Sequence, residues 1–196
     1  SITEPAERTV PEHQAYEKTI SKYVMAPANA IKRHPFVEQR MKDLEKWSET
    51  SGVNRIETLK QVQGDSTRQG DGSRHAELVS ASILGVPGDK VGIITSSTSY
   101  QYVKEVLGDS VNILKLGMVN PLPADMIRKF ADGLEKLIVV EELDPIIETF
   151  VRGLGLKCEI HGKDMFPICG EFSQNLVAAA FGRELPQGKK LDGVQI

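Results

Sequence analysis

Residues 91–116, VGIITSSTSYQYVKEVLGDSVNILKL, read as strand, helix and strand in succession. Val91–Thr95 is a β-branched run bounded by Gly88. Tyr100, Val103 and Leu107 then recur at helical spacing, and Gly108 can end that helix. Val111–Leu116 is the next strand. The alternation continues downstream. Pro123 opens a helix with Met126, Ile127, Phe130 and Leu134 on one face. Leu137–Glu141, LIVVE, is apolar in nearly every position, as strands buried on both faces are. Asp144-Pro145 reads as an N-cap followed by proline at the first helical position, with Ile147, Phe150, Val151 and Leu154 behind it. Leu156–Ile160 is a further strand. Ser173 caps a last helix carrying Leu176, Val177, Ala180 and Phe181, closed by Gly182. Repeated strand–helix units predict a mostly parallel sheet with helices on both faces. With Val53–Glu57 added as an antiparallel edge strand, the expectation is an α/β/α three-layer sandwich of about five strands.

The flanks read differently. Residues 1–20 are polar, hold two prolines and look like an arm or linker. In residues 21–35, SKYVMAPANAIKRHP, Pro27 and Pro35 argue against one continuous helix, so an extended segment is expected. A helix then starts at Pro35, with Val37, Met41, Leu44 and Trp47 or Ser48 on one face, and ends around Thr50 before Gly52. Residues 58–87 keep neither period and are rich in Gly, Ser, Gln and Asp. They read as an insertion with a short helix around Arg74–Ser80, and a partner-binding loop is the alternative. The run RHAELVSAS (74–82) also resembles peptides encoded by small mobile repeat elements. The predicted α/β domain is therefore 21–183, with 184–196 a linker.

Composition excludes some functions. The chain has 196 residues, 40% apolar and 26% charged, with a net charge of −3. That describes a globular domain and argues against a nucleic-acid binder, which needs basic surface to neutralise phosphates. No apolar run approaches the roughly 20 residues that span a bilayer. The start lacks a basic-then-apolar signal pattern, so a cytoplasmic location is expected. Cys158 and Cys169 have no closely spaced ligand partner beyond His161, and read as free thiols rather than a zinc site.

Ligands of open α/β sheets sit past the carboxyl ends of the strands. Three loops fall there. Thr95–Ser99 offers five hydroxyls before a helix N-terminus, where free amides favour anions, yet such residues are also ordinary caps. No glycine lies between Gly92 and Gly108, and there is no GxGxxG or GxxxxGK[ST] pattern. Gly117–Pro123 carries two prolines that stiffen a strand–helix turn, or a contact with a neighbouring domain. Glu141, Glu142 and Asp144 could ligate a metal or act as acid and base, but Asp144 is explained as a cap and acids near helix starts are favoured by the dipole. His13, His34 and His75 are read as solvated or capping residues. No catalytic, cofactor-binding or metal-binding residue is assigned. Asn120, Pro121, Leu122 and Pro123, with Tyr23 and Arg33 in the segment 23–33, are the candidate interface residues.

Four segments, SKYVMAPANAIKRHP (21–35), VGIITSSTSYQYVKEVL (91–107), ILKLGMVNPLP (113–123) and LIVVEELDP (137–145), resemble, in order, one region of the alpha subunit of indolepyruvate:ferredoxin oxidoreductases. The resemblance covers most of the chain outside 58–87. It implies a domain like the C-terminal domain of transketolase, following the pyrimidine-binding domain for thiamine diphosphate. It implies a parent enzyme that oxidatively decarboxylates arylpyruvate, passes electrons through 4Fe–4S clusters to ferredoxin and forms an acyl-CoA, its alpha subunit working with a smaller beta subunit. Thiamine diphosphate, magnesium and the clusters would be held elsewhere in that subunit, so this stretch would be a middle piece, inactive by itself. Two departures stand out: the family usually has glycine where this chain has Ser97, and it lacks 58–87. A flavodoxin-like module holding FMN or phosphate at 95–99 is the alternative, and transketolase-type catalysis a third reading.

Overall fold

A computed structural model of the chain describes residues 15–58 and 82–185. The chain divides into two compact units, one reaching to Met41 and one starting at Lys42.

In the first unit a single helical turn, α1 (Ile20–Tyr23), buries none of its residues. Helix α2 (Pro27–Thr50) follows and continues into the second unit, with Pro35 inside it. The extended segment expected for 21–35 is thus mostly helix. Pro27 occupies the first helical position, where its missing N–H has no intrahelical acceptor to lose. Asn29 Nδ2 secures this end by donating to the Val24 carbonyl at 3.1 Å. Pro35 removes one interior hydrogen bond, a cost of about 3 kcal/mol. The flanking Ala28, Ala30, Glu38, Gln39 and Arg40 are good helix formers, and the helix runs through the proline.

The second unit is built on a sheet of order β1-β5-β4-β6-β7. Its strands are β1 (Arg55–Glu57), β4 (Val91–Ser96), β5 (Asn112–Leu116), β6 (Lys136–Val140) and β7 (Glu159–His161). Only β1 is antiparallel, pairing Ile56 with Leu114 of β5; the other pairings are parallel. Successive residues of a strand point to opposite faces, and that alternation sorts the core. Ile93, Ile113 and Ile138 join Val103, Leu107, Phe172 and Val177 on one face. Ile94, Leu114 and Val139 join Ile127, Phe130, Ile147 and Val151 on the other. Helices α3 (Ser97–Leu107) and α6 (Gln174–Ala180) supply the first layer, and α4 (Ala124–Ala131) and α5 (Ile146–Gly153) the second. This is the expected three-layer α/β/α sandwich with one antiparallel edge.

A hairpin of β2 (Ser82–Ile83) and β3 (Val86–Pro87) precedes the sheet. Leu84 and Gly85 both take positive φ, as a two-residue turn of this hand requires. Val86 is buried in the core and Lys136 Nζ donates to the Leu84 carbonyl, so the end of the 58–87 stretch packs on the domain. The helix expected around Arg74–Ser80 lies outside the described residues. Among the described residues no helix is long and apolar enough to cross a membrane.

Candidate functional site

The carboxyl ends of β4, β5 and β6 lie side by side, which brings the three loops together. They border a cleft of about 320 Å³ lined by Ser96–Ser99, Val119, Glu141–Asp144, Ile146 and Ile147. From the middle loop only Val119 reaches the cleft. Asn120 is exposed and Pro121 half-buried, whereas Pro123 is buried and Leu122, 7% exposed, belongs to the core. The candidate interface loop is therefore exposed over only part of its length: two of its four residues turn inward because α4 begins directly behind them. Tyr23 is exposed and Arg33 half-buried; Arg33 lines an apolar pocket of about 730 Å³ in the first unit, with Met25, Ile31 and Pro35.

The carboxylates do different work from that expected. Asp144 does not cap α5. The buried Glu141, at the end of β6, does: its two oxygens accept the N–H groups of Ile147 and Glu148, each at 2.9 Å. The charge of Glu141 is thereby spent on a helix N-terminus. Lys163 Nζ donates to the Glu141 carbonyl at 2.6 Å. Glu148, also buried, accepts from Lys163 N at 2.8 Å and from Arg152 Nε at 2.9 Å. Glu142 and Asp144 stay exposed on the rim.

A second long-range cap lies beside the middle loop. Glu49, in the last turn of α2, accepts from Asp125 N at 3.0 Å and Met126 N at 2.7 Å. Asn54, 3% exposed, accepts from Gly117 N at 2.8 Å and Met118 N at 3.0 Å, and donates to the Ser48 carbonyl at 2.9 Å. Gly117 must be glycine because a Cβ there would overlap the Val53 carbonyl. Neither Glu49 nor Asn54 carries a local signal; the N–H groups they accept lie more than sixty residues away.

The Thr95–Ser99 loop is arranged poorly for an anion. Thr95 and Ser99 are buried, no side chain caps α3, and Ser97 takes a positive φ. The Thr95 hydroxyl finds no partner among the described residues and is not part of the cleft lining. A phosphate at the open amides of α3 would share the cleft with Glu142 and Asp144, whose charge opposes it. A 4Fe–4S cluster takes four thiolates, and the chain has the half-buried Cys158, its thiol pushed up by burial, and the exposed Cys169. Among the described residues no three His, Cys, Asp or Glu side chains are grouped to hold a metal ion. The described residues therefore do not fit a cluster or a magnesium-held diphosphate.

At the far edge of the sheet, Tyr100 locks β1 to α3. Its hydroxyl donates to Glu57 Oε1 at 2.7 Å and accepts from Arg55 Nη2 at 3.1 Å, while Lys104 Nζ lies 3.3 Å from Glu57 Oε2. Burial pushes the Glu57 carboxyl up, but the hydrogen bonds from Tyr100 and Lys104, with the charges of Lys104 and Arg55, hold it below its ordinary value. At the opposite edge, burial likewise raises Asp164, but the 2.6 Å contact with His161 Nδ1 and the Gly162 N–H it accepts together hold it below its ordinary value.

Comparison with curated proteins adds what geometry alone does not. Indolepyruvate oxidoreductase subunit IorA of Thermococcus kodakarensis is 32% identical over 178 residues, covering 87% of this chain and 23% of that protein. The chain is a relative of part of IorA. IorA of Pyrococcus horikoshii matches with the same identity and coverage, and IorA of Pyrococcus abyssi is 40% identical over 111 residues, 53% of this chain and 17% of its own length. The chain thus spans about a quarter of the length of the IorA relatives it matches. No family model matches it. Among solved structures, a 2-oxoglutarate:ferredoxin oxidoreductase from Magnetococcus marinus, solved with 2-oxoglutarate, coenzyme A and succinyl-CoA, aligns at TM-score 0.44 and 18% identity, over 79% of this chain and 23% of that one.

Proposed function

We propose that this chain is a non-catalytic interface domain of the alpha subunit of a thiamine-diphosphate-dependent indolepyruvate:ferredoxin oxidoreductase. The observation that carries the reading is the similarity to IorA over 87% of the chain, confined to about a quarter of the relative. In this reading the parent enzyme, a cytoplasmic one, decarboxylates arylpyruvate, reduces ferredoxin and forms an aryl-acetyl-CoA. Thiamine diphosphate, magnesium and the 4Fe–4S clusters belong to other parts of the alpha subunit, and a beta subunit completes it. The chain alone turns over nothing. Its work is to pack against the rest of the subunit and the beta chain through Tyr23, Arg33, Asn120 and Pro121. Leu122 and Pro123 support that loop from within. What favours an interface over a small-molecule site is chemical: the acidic carboxylate of the cleft that faces inward, Glu141, is used to cap a helix. The side chains left on the rim include exposed Val119, Leu143 and Ile146.

The test uses the complete reading frame that contains this sequence, expressed anaerobically with its neighbouring gene. A brown protein that reduces ferredoxin with arylpyruvate only when thiamine diphosphate is present supports the reading. Tyr23→Ala and Asn120→Arg should then lower recovery of the beta chain without bleaching the clusters. A colourless protein with no arylpyruvate-dependent reduction would sink it. Saturable binding of FMN by the chain would bring the flavodoxin-like alternative forward.

A further inference from the structure

His161 ends β7, at the edge of the sheet, and both nitrogens of its ring meet a carboxylate. Nδ1 lies 2.6 Å from Asp164 Oδ2, and Nε2 lies 3.2 Å from Glu159 Oε1. The side chain is 21% exposed; Nε2 itself is buried, close enough to Glu159 for an ion pair but not aligned for a hydrogen bond. A neutral imidazole carries one N–H, so whichever nitrogen holds it, the other turns a lone pair toward a carboxylate. Only the imidazolium has a donor for each. From β6, Ile138 stands opposite the ring, and Lys136 Nζ lies 3.6 Å from Glu159 Oε2. The other charged groups beside this end of β7, among the described residues, are Lys163 in the turn that follows and Glu148 of α5, paired with Arg152.

One tight turn connects the ring to the wall of the cleft. Asp164 Oδ1 accepts from Gly162 N at 2.6 Å, and Met165 N donates to the Gly162 carbonyl at 2.9 Å, closing residues 162–165. Lys163, inside that turn, donates through its backbone N to Glu148 at 2.8 Å and through Nζ to the Glu141 carbonyl at 2.6 Å. Gly162 leaves no slack, because a Cβ there would overlap the Glu148 carboxylate. The Asp164 carboxylate is thus divided between the His161 ring and the turn that grips the end of β6 and the start of α5.

We propose that His161 is a pH-sensitive clamp: its imidazolium ties Glu159 of β7 to Asp164 of the 162–165 turn, and loss of the proton loosens that turn and the hold of Lys163 on Glu141 and Glu148. The window is the one in which an imidazole changes charge, about pH 5–8. Asp164, held below its ordinary 3.8, stays ionised throughout it, so the ring supplies the change of charge. A proton bound between two carboxylates in the folded chain lends stability that is full at the acid end of the window and is lost as pH rises. This inference goes beyond the oxidoreductase reading, does not rest on it and survives its failure.

Nuclear magnetic resonance of the 196-residue chain between about pH 5 and pH 8 tests it. The amides of Gly162 and Lys163 should titrate in step with the His161 ring, and His161→Gln should abolish their movement. Over the same range the folding equilibrium of the wild type, read from urea midpoints, should weaken about tenfold relative to that of His161→Gln. Glu159→Gln, on a side chain 59% exposed, keeps the ring and should shrink that pH-dependent loss; it is the second route if His161→Gln does not fold. Amides that stay fixed while the ring titrates overturn the proposal, as does a ring that keeps one charge across the window. So does a wild type whose stability runs parallel to that of His161→Gln, or a Glu159→Gln variant with the pH dependence of the wild type.

Discussion

The sheet of the second unit and the helical segment of the first are both rich in apolar residues, yet only one of them hides its own. Ile93, Ile94, Leu114 and Ile138 are at most 1% exposed, whereas Ile31 and Phe36 are about 75% exposed. In the sheet, period-two side chains meet helices on each face, and apolar area leaves water with about 25 cal/mol per Å² gained. In residues 15–41 none of the side chains is buried. The difference shows which part of the chain is self-sufficient and which awaits a surface.

Substitution in the sheet should break the molecule first. Leu114→Ala is expected to cost about 2–5 kcal/mol, read as a lowered urea midpoint, because it empties a site enclosed by Ile127 and Leu116. Next in size are the buried caps. Glu141→Ala leaves the N–H groups of Ile147 and Glu148 unpaired, and Asn54→Ala does the same to Gly117 and Met118; each should cost about 1–3 kcal/mol. Glu142→Ala, on the exposed rim, should change the midpoint by less than about 0.5 kcal/mol, and an equal loss at both positions would deny Glu141 its special place.

A smaller effect separates the sheet edge from its centre. The Glu57 carboxyl is held below its ordinary 4.5 when folded, so its contribution is full above that value and is lost as pH falls through the lower, folded value. A pH series of urea midpoints should show wild type and Glu57→Gln converging in acid and separating toward neutral pH. Curves that stay parallel through the acid range would show that Tyr100 and Lys104 do not hold the charge. Smallest of all, Phe36→Ala should shift the midpoint of the isolated chain by less than about 0.5 kcal/mol at concentrations where it is monomeric. A loss as large as that of Leu114→Ala would mean residues 15–41 have a core of their own.

Most of the sheet was legible before the structure. Strands β4, β5 and β6 are continuous apolar runs, and the periodic helices between them start and stop at recognisable signals. The final strand, expected from the apolar pattern over Leu156–Ile160, forms at Glu159–His161, because Leu156 and Cys158 pack against the core from the loop before it. Pro35 marks a helix start by local rule, and the surrounding turns of α2 override it. The helix caps depart from local rules for a related reason. Asp144 and Ser173 sit where caps belong, yet neither side chain makes the bond, while Glu141 and Glu49 reach α5 and α4 from other elements.

By itself the sequence determined the layer architecture, since the alternation of period-two and helical patterns leaves a parallel sheet covered on both faces as the arrangement that buries every apolar run. It also carried the family likeness, through four segments in their proper order. Only the tertiary structure decided which polar groups do structural work. Three loops, each separated from the next by seventeen residues, become neighbours because parallel strands end on the same side. Glu141, one of three carboxylates there that could ligate a metal or act as acid and base, is committed to a helix N-terminus, while Leu143 stands in solvent. A buried donor needs an acceptor from whichever element lies nearest in space, and no spacing along the chain records that distance.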